Sequence, residues 1–270
     1  MKKKTDRRIP AGTEVPMYAA DGADSALVRS IEEIMKRDAV RESDTDLSRE
    51  LCLRIDEEGV SLTENGEVLR GDFRKSLPRL TPQNLNRELL VRAAKIKGSR
   101  AKDLTVADAT AGMGDDSFLL AAAGFHVQMY ERNPVIAALL YDALRRASED
   151  PDLASVAERM RLRAGDSVAL LPQLTPAPDI VLLDPMFPGR KKTGLSKKKL
   201  RMLQYLEQPC AEEKEMLDAA AACRPQRIVI KRPRKGDYLA GRKPGFSIEG
   251  KLIRYDCIDL FRKPRDPGTL

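Results

Sequence analysis

Apolar side chains at Leu27, Ile31, Ile34 and Met35 recur at helical spacing, which predicts a helix over Asp24–Arg37. Leu51–Ile55 and Val60–Leu62 are short apolar runs on either side of Asp-Glu-Glu-Gly, and they predict two strands. These elements make a small N-terminal α/β subdomain over residues 1–80, in which nothing suggests chemistry. The segment Leu77–Pro82 carries two prolines and reads as a linker.

Beyond the linker the pattern changes. Leu85, Leu89, Leu90 and Ala93 form one stripe of a helix over Asn84–Lys97. Strands are then expected at Leu104–Ala109, Val127–Glu131, Met160–Ala164, Ile180–Leu183 and Arg227–Lys231. Helices separate them. One follows a glycine turn and runs to about Ala123. A second starts at Asn133-Pro134, with Asn as N-cap and Pro at the first helical position, and runs to about Ala147. A basic helix is expected near Lys197, and another over Ala211–Ala222. Ser247–Arg254 and Asp256–Phe261 read as a final strand pair. Alternating strands and helices predict an α/β, doubly wound, mostly parallel sheet over residues 81–270, with an antiparallel hairpin closing one edge.

Composition narrows the class. The 270 residues are 42% hydrophobic and 33% charged, which excludes a disordered or collagen-like chain. No run is long and apolar enough for a membrane span. The basic start MKKKTDRR leads into no apolar segment, so no secretory signal is expected and the cytoplasm is the expected compartment. Cys52, Cys210, Cys223 and Cys257 form no C-x-x-C pair, and His126 is the single histidine. Neither a metal site nor histidine-based acid–base chemistry is therefore expected. Oligomeric state is left open.

Charge adds a first hint of function. Lys plus Arg number 48 against 41 Asp plus Glu, a net +7. Arg190, Lys191, Lys192, Lys197, Lys198, Lys199 and Arg201 fall in one stretch without an acid. A second cluster holds Arg224, Arg227, Lys231, Arg232, Arg234 and Lys235. Either these are solvated surfaces or they track phosphates of a nucleic acid.

Three motifs follow strands. The first is Asp108-Ala-Thr-Ala-Gly112-Met-Gly114, where two glycines permit a tight turn and close approach of a ligand to the backbone. Glu131 ends the next strand, where a carboxylate accepts from both ribose hydroxyls of a nucleoside. Ser117 stands where a dinucleotide fingerprint has its third glycine, and Asp115 and Asp116 crowd the helix start. Two carboxylates there repel a pyrophosphate but not a sulfonium, which points to S-adenosylmethionine. The second motif, Asp166-Ser167, is either a cofactor contact or a helix N-cap. The third, Asp184-Pro185-Met186-Phe187-Pro188, puts an acid and an aromatic at a strand's carboxyl end, where open α/β sheets bind ligands. The ring can stack on a base, and the acid can accept from an exocyclic amine.

On these motifs the chain resembles the class I S-adenosylmethionine-dependent methyltransferases. Within them it is similar to the RsmJ family of bacterial small-subunit rRNA guanine-N2 methyltransferases. The matching blocks are DATAGMGDD at 108–116, YERNPVIAALLYDAL at 130–144, LLDPMFPGRKKTGLSKKKLRMLQYL at 182–206 and VIKRP at 229–233. The resemblance implies a Rossmann-like fold, S-adenosylmethionine as cofactor and small-subunit rRNA or the ribosomal small subunit as partner. It implies cofactor contacts from Asp115 and Asp116, from Glu131 and Arg132, from Asp166 and Ser167, and from Asp184. Asp108, Gly112 and Gly114 belong to the turn of the same site. Asp184, Pro185 and Phe187 are the expected catalytic residues, and the stretch from Arg190 to Arg201 the expected RNA contact. Asp115 replaces an arginine frequent in the family, and Asp166 a frequent serine. Two alternatives to guanine-N2 transfer stay open: another nucleic-acid amine (adenine N6, or guanine N2 of tRNA), and a non-catalytic RNA-binding protein.

Overall fold

The structure, a computed structural model, describes residues 15–41, 51–185, 202, 206 and 213–260. Two sheets organise it. The first has order β2-β1-β3-β4-β5, built from β1 (Met17–Ala19), β2 (Val40–Arg41), β3 (Cys52–Asp56), β4 (Gly59–Glu64) and β5 (Glu67–Leu69). Helix α1 (Ser25–Met35) lies where its stripe predicts, capped by the Asp24 side chain, which accepts from the Ala26 amide at 2.8 Å. The strands β1, β2 and β5 are too short to show a period in the sequence.

The second sheet has order β11-β12-β10-β9-β6-β7-β8. It comprises β6 (Thr105–Asp108), β7 (His126–Glu131), β8 (Met160–Ala164), β9 (Ile180–Leu183), β10 (Arg227–Pro233), β11 (Phe246–Glu249) and β12 (Ile253–Asp259). The pairs β6–β7, β6–β9, β7–β8 and β9–β10 are parallel, and β12 runs antiparallel to both β10 and β11. This is the expected doubly wound sheet with an antiparallel closing hairpin.

Side-chain alternation on the strands builds a core on each face. On β9, Ile180 and Leu182 join one cluster with Phe118 and Leu120, while Val181 and Leu183 join another with Leu171 and Ala220. A strand buried on both faces must be apolar throughout, which is why β9 reads Ile-Val-Leu-Leu. The helices behind the first cluster are α3 (Leu89–Ala94), α4 (Asp115–Ala122), α5 (Pro134–Glu149) and the short α6 (Ala154–Ala157). On the opposite face lie α7 (Ser167–Leu170) and α8 (Glu213–Ala222).

Helix α5 serves both sheets. Leu140, Ala143 and Ala147 pack in the large-sheet core, whereas Val135, Ala138 and Leu139 pack with β3 and β4 residues and with Met202. Between them Asp142 is fully buried. It accepts from the Val60 amide at 3.0 Å and from the guanidinium groups of Arg145 and Arg146 at 3.0 and 2.9 Å, which ties the first sheet to the helix.

Two boundaries differ from expectation. The helix expected over Asn84–Lys97 is two helices, α2 (Pro82–Arg87) and α3, because Glu88 takes an extended ψ of 127°. Its carboxylate forms a two-pronged pair with Arg79 at 2.9 Å for each bond. The segment expected as a linker, Leu77–Pro82, begins within a 3₁₀ helix over Arg74–Arg79 and ends on the first residue of α2. At the C-terminal end, Gly250 to Leu252 turn the chain, so the last strand starts at Ile253 and not at Asp256.

Candidate active site

The carboxyl ends of β9, β6 and β7 are adjacent in the sheet, so Asp184, Asp108 and Glu131 meet along one edge. The glycine turn sits over it. Gly112 has φ +55° and Gly114 φ +79°, values in the left-handed region that glycine adopts without strain. The two differ in surroundings. A Cβ on Gly114 would lie 2.7 Å from Leu140 Cδ1, so that glycine serves packing. A Cβ on Gly112 would meet nothing within 4 Å, so space opens directly above that backbone.

Glu131 is buried and faces the turn from the end of β7. Its Oε2 accepts the Gly112 amide at 2.9 Å and its Oε1 accepts the Asn133 amide at 2.7 Å. The carboxylate thus fixes the glycine turn and the start of α5 together. Asn133 caps α5 as its sequence predicts, accepting from the Val135 and Ile136 amides at 3.0 and 3.2 Å.

Asp108 is buried beneath the turn. It accepts from the Thr110 amide at 3.1 Å and from the Ser117 hydroxyl at 2.6 Å. Burial pushes its carboxyl up to about 7. The Ser117 and Thr110 hydrogen bonds oppose that rise, and the neighbouring Asp116 and Asp184 charges add to it. Ser117, which occupies the third-glycine position, therefore has a structural partner.

Asp184 is held from two sides. Its amide donates to Thr110 Oγ at 2.7 Å, which locks the end of β9 to the turn after β6. Its Oδ2 pairs with Lys231 Nζ at 3.1 Å, and the same ammonium also pairs with Asp116. Lys231 thus bridges the first turn of α4 and the end of β9 from its place on β10. In the sequence Lys231 belongs to a charge cluster, ends an expected strand and falls in the block VIKRP, but none of these assigns it a partner. The signal available was its position: in Ile-Val-Ile-Lys, a lysine follows three buried apolar residues near the carboxyl end of a strand.

The other predicted residues fall as follows. Asp115 and Arg132 are exposed at the rim. Asp166 caps α7, its side chain accepting the Val168 amide at 2.9 Å, and Ser167 is buried. The capping role is therefore real, and it leaves Asp166 exposed at the end of β8, next to β7. Pro185 is buried directly after Asp184. Phe187, Arg190, Lys191, Lys192, Lys197, Lys198, Lys199 and Arg201 lie outside the described residues. His126 opens β7 as an exposed residue far along the strand from Glu131. Burial pushes the thiols of Cys223 and Cys257 up to about 11 and about 12, which leaves them unreactive at neutral pH. Among the described residues, no group of His, Cys, Asp or Glu is placed to hold a metal ion, and no helix is long and apolar enough to cross a membrane.

Residues 36–259 match the family model described as a putative SAM-dependent methyltransferase. The chain belongs to this family. It is similar to ribosomal RNA small subunit methyltransferase J of Pseudomonas aeruginosa, 40% identical over 215 residues that cover 77% of this chain and 81% of that protein. The protein of the same name from Marinobacter nauticus is 39% identical over 222 residues, 79% of each chain. Among solved structures, a SAM-dependent methyltransferase from Neisseria gonorrhoeae superposes with a TM-score of 0.70 at 28% identity, covering 95% of this chain and 100% of that one.

The family's cofactor is S-adenosylmethionine, and the site suits it. The open space over Gly112 leaves room for a ligand against the backbone, Glu131 stands beside it, and the carboxylates of Asp116 and Asp184, which share the single cation of Lys231, leave net negative charge along the edge. A sulfonium gains from that charge, whereas a phosphate-bearing cofactor is repelled by it.

Proposed function

We propose that this methyltransferase acts on the N2 amine of a guanine in small-subunit rRNA. The observation that carries the reading is the anchored Asp184-Pro185 pair at the carboxyl end of β9, beside the open space over Gly112. The relatives' name supplies the RNA class, and guanine N2 is what the resemblance to the RsmJ family implies; the acceptors present suit an exocyclic amine of that kind. The Asp184 carboxylate and the Pro185 carbonyl are two acceptors in sequence, suited to an amine with two N–H donors. We also read residues 1–80 as an accessory subdomain and residues 81–270 as the catalytic domain.

S-adenosylmethionine, when bound, supplies a methyl group on a positively charged sulfur. Gly112 and Glu131 would hold its nucleoside, and Asp115, Asp116, Arg132, Asp166 and Ser167 would complete the pocket. Asp184 and Pro185 would orient the target amine. Its lone pair is delocalised into the ring, so hydrogen bonds that pyramidalise the nitrogen raise its reactivity. The nitrogen forms the new N–C bond as the methyl–sulfur bond breaks, with that electron pair left on sulfur. The surplus proton passes from nitrogen to Asp184 or to water. Holding two reactants in line contributes up to about 7–11 kcal/mol, so positioning is the main catalytic device. Phe187 would hold the base flat, and the Arg190–Arg201 stretch would track phosphates.

Mass spectrometry of small-subunit rRNA nucleosides, from cells with and without the protein, tests the reading. Loss of one N2-methylguanine is the expected result. A missing N6-methyladenine, a change confined to tRNA, or no change at all would refute it. Asp184→Asn keeps the size of the side chain and removes its charge, and should lower methyl transfer by at least about 10²-fold with the fold intact.

A further inference from the structure

A groove of about 370 Å³ lies on the surface beyond β10, away from the glycine turn, lined by Arg234, Lys235, Tyr238, Ser247, Glu249 and Arg254 among others. It belongs to the same sheet edge as the candidate active site. Strand β10 leaves the sheet at Pro233, which pairs with Ile253 at the start of β12. In strand order β12 is two places from β9, roughly 10 Å away at the usual ~4.8 Å spacing.

The wall of this groove is built with unusual rigidity for a surface turn. Arg254 Nη1 donates to the carbonyls of Pro233, Arg234 and Gly236 at 2.9, 2.7 and 2.9 Å. Arg232 Nε donates to the Asp237 carbonyl at 2.7 Å, and its Nη1 pairs with Glu213 at 3.1 Å. Both arginines are buried, at 5% exposure each. Two buried cations thus draw four successive-turn carbonyls inward and set the side chains of Arg234, Lys235 and Tyr238 outward, all exposed. Arg254 also lies under the Tyr238 ring, its guanidinium carbon 5.0 Å from the ring centroid. Its Nη2 is buried and makes no hydrogen bond. A partner that reaches this corner gains a charged donor already desolvated.

We propose that this groove binds a nucleotide of the substrate RNA next to the target base, with Tyr238 as stacking platform and Arg234 and Lys235 on the flanking phosphates. The inference rests on the RNA reading given above and assigns to it a second contact region. An exposed aromatic ring fixed from below by a guanidinium, with cations on the same turn, is the chemistry that holds single-stranded nucleic acid. Asp237 and Glu249 also line the groove. The Arg234–Glu249 pair is exposed and 3.5 Å long, so a phosphate can replace Glu249 at little cost.

The test uses the full-length protein and a fluorescein-labelled single-stranded RNA of small-subunit sequence. Binding is read by anisotropy across salt concentrations, and methyl transfer is measured in parallel on small-subunit rRNA. Tyr238→Ala should weaken RNA binding about tenfold, and Tyr238→Phe should leave it unchanged, because stacking and not the hydroxyl is at work. The double variant Arg234→Ala, Lys235→Ala should flatten the log–log salt slope by about 1–1.5, near ~0.7 for each single-strand phosphate. For both, KM for RNA should rise while kcat and S-adenosylmethionine affinity stay at wild-type values. Wild-type affinity and slope in Tyr238→Ala and the double variant would overturn the groove. A wild-type protein that binds this RNA through the groove yet methylates no rRNA would overturn the functional reading and keep the groove. A wild-type protein that binds no RNA would overturn both.

Discussion

Asp108 makes stability depend on pH in a direction opposite to most carboxylates. Its folded-state carboxyl stands at about 7 and the ordinary value is 3.8. The folded protein therefore holds a proton that the unfolded chain releases between those values. Stability from this group is complete below the unfolded value and is lost as pH rises through the folded one. Between about pH 5 and pH 8 the loss integrates to roughly 2–3 kcal/mol. At ~2–4 °C per kcal/mol for a chain of this size, Tm should fall by roughly 5–10 °C over that interval. Asp108→Asn keeps the shape and can still accept from the Ser117 hydroxyl and the Thr110 amide, but has no proton to lose. Subtracting its Tm–pH curve from the wild-type curve cancels every other titrating group. The difference should slope through the neutral range. A second variant guards against misfolding of the first: Ser117→Ala removes a hydrogen bond that lowers this carboxyl, and should move the wild-type transition to higher pH. Parallel curves for wild type and Asp108→Asn, together with an unmoved transition in Ser117→Ala, would show that Asp108 is ionised in the folded protein and refute the argument.

Two further outcomes follow from the site. Glu131→Ala should weaken S-adenosylmethionine binding by roughly 2–4 kcal/mol in calorimetry. It should also lower thermal stability, because Glu131 holds the Gly112 and Asn133 amides; wild-type cofactor affinity would remove it from the pocket. Lys231→Met leaves Asp116 and Asp184 without their shared cation and should cut methyl transfer at least ~10-fold, since misplacing a positioning group slightly can cost far more. Lys231→Arg should restore part of the rate, and equal rates in all three proteins would sink that role.

The order of strands and helices was legible because the large sheet obeys simple periods. Strand β9 is apolar throughout because both its faces are covered, and Asn133-Pro134 marks a helix start by its own chemistry. The short strands β1, β2 and β5 were not legible, since three residues or fewer carry no period. Nor was the break at Glu88: its extended backbone goes with a two-pronged pair to Arg79, a contact that an apolar stripe cannot reveal. Asp108, Glu131 and Asp184 drew notice because each stands at or just after a strand's end, and Asp115 and Asp116 because they open the helix after the glycine turn. Lys231 and Thr110 were missed for a shared reason. Their roles arise from neighbours over seventy positions away in sequence, Asp116 for the lysine and the Asp184 amide for the threonine.

The lysine also resolves a difficulty in the proposed reaction. A site of carboxylates alone would hold the positive charge of a sulfonium most tightly before transfer, and stabilising the reactant alone does not speed the step. During transfer, positive charge leaves sulfur and builds on the attacking nitrogen. Useful negative charge must therefore face the nitrogen. Lys231 pairs with Asp116, on the helix that follows the glycine turn, and with one oxygen of Asp184, at the end of β9. In the proposed reaction it would offset part of the negative charge facing the cofactor and hold Asp184 where the amine's charge and proton would arrive. The neutral thioether left after transfer lacks the attraction that drew the sulfonium in. On the proposed reaction, one charge pattern would favour uptake of the cofactor, orientation of the acceptor and release of the product.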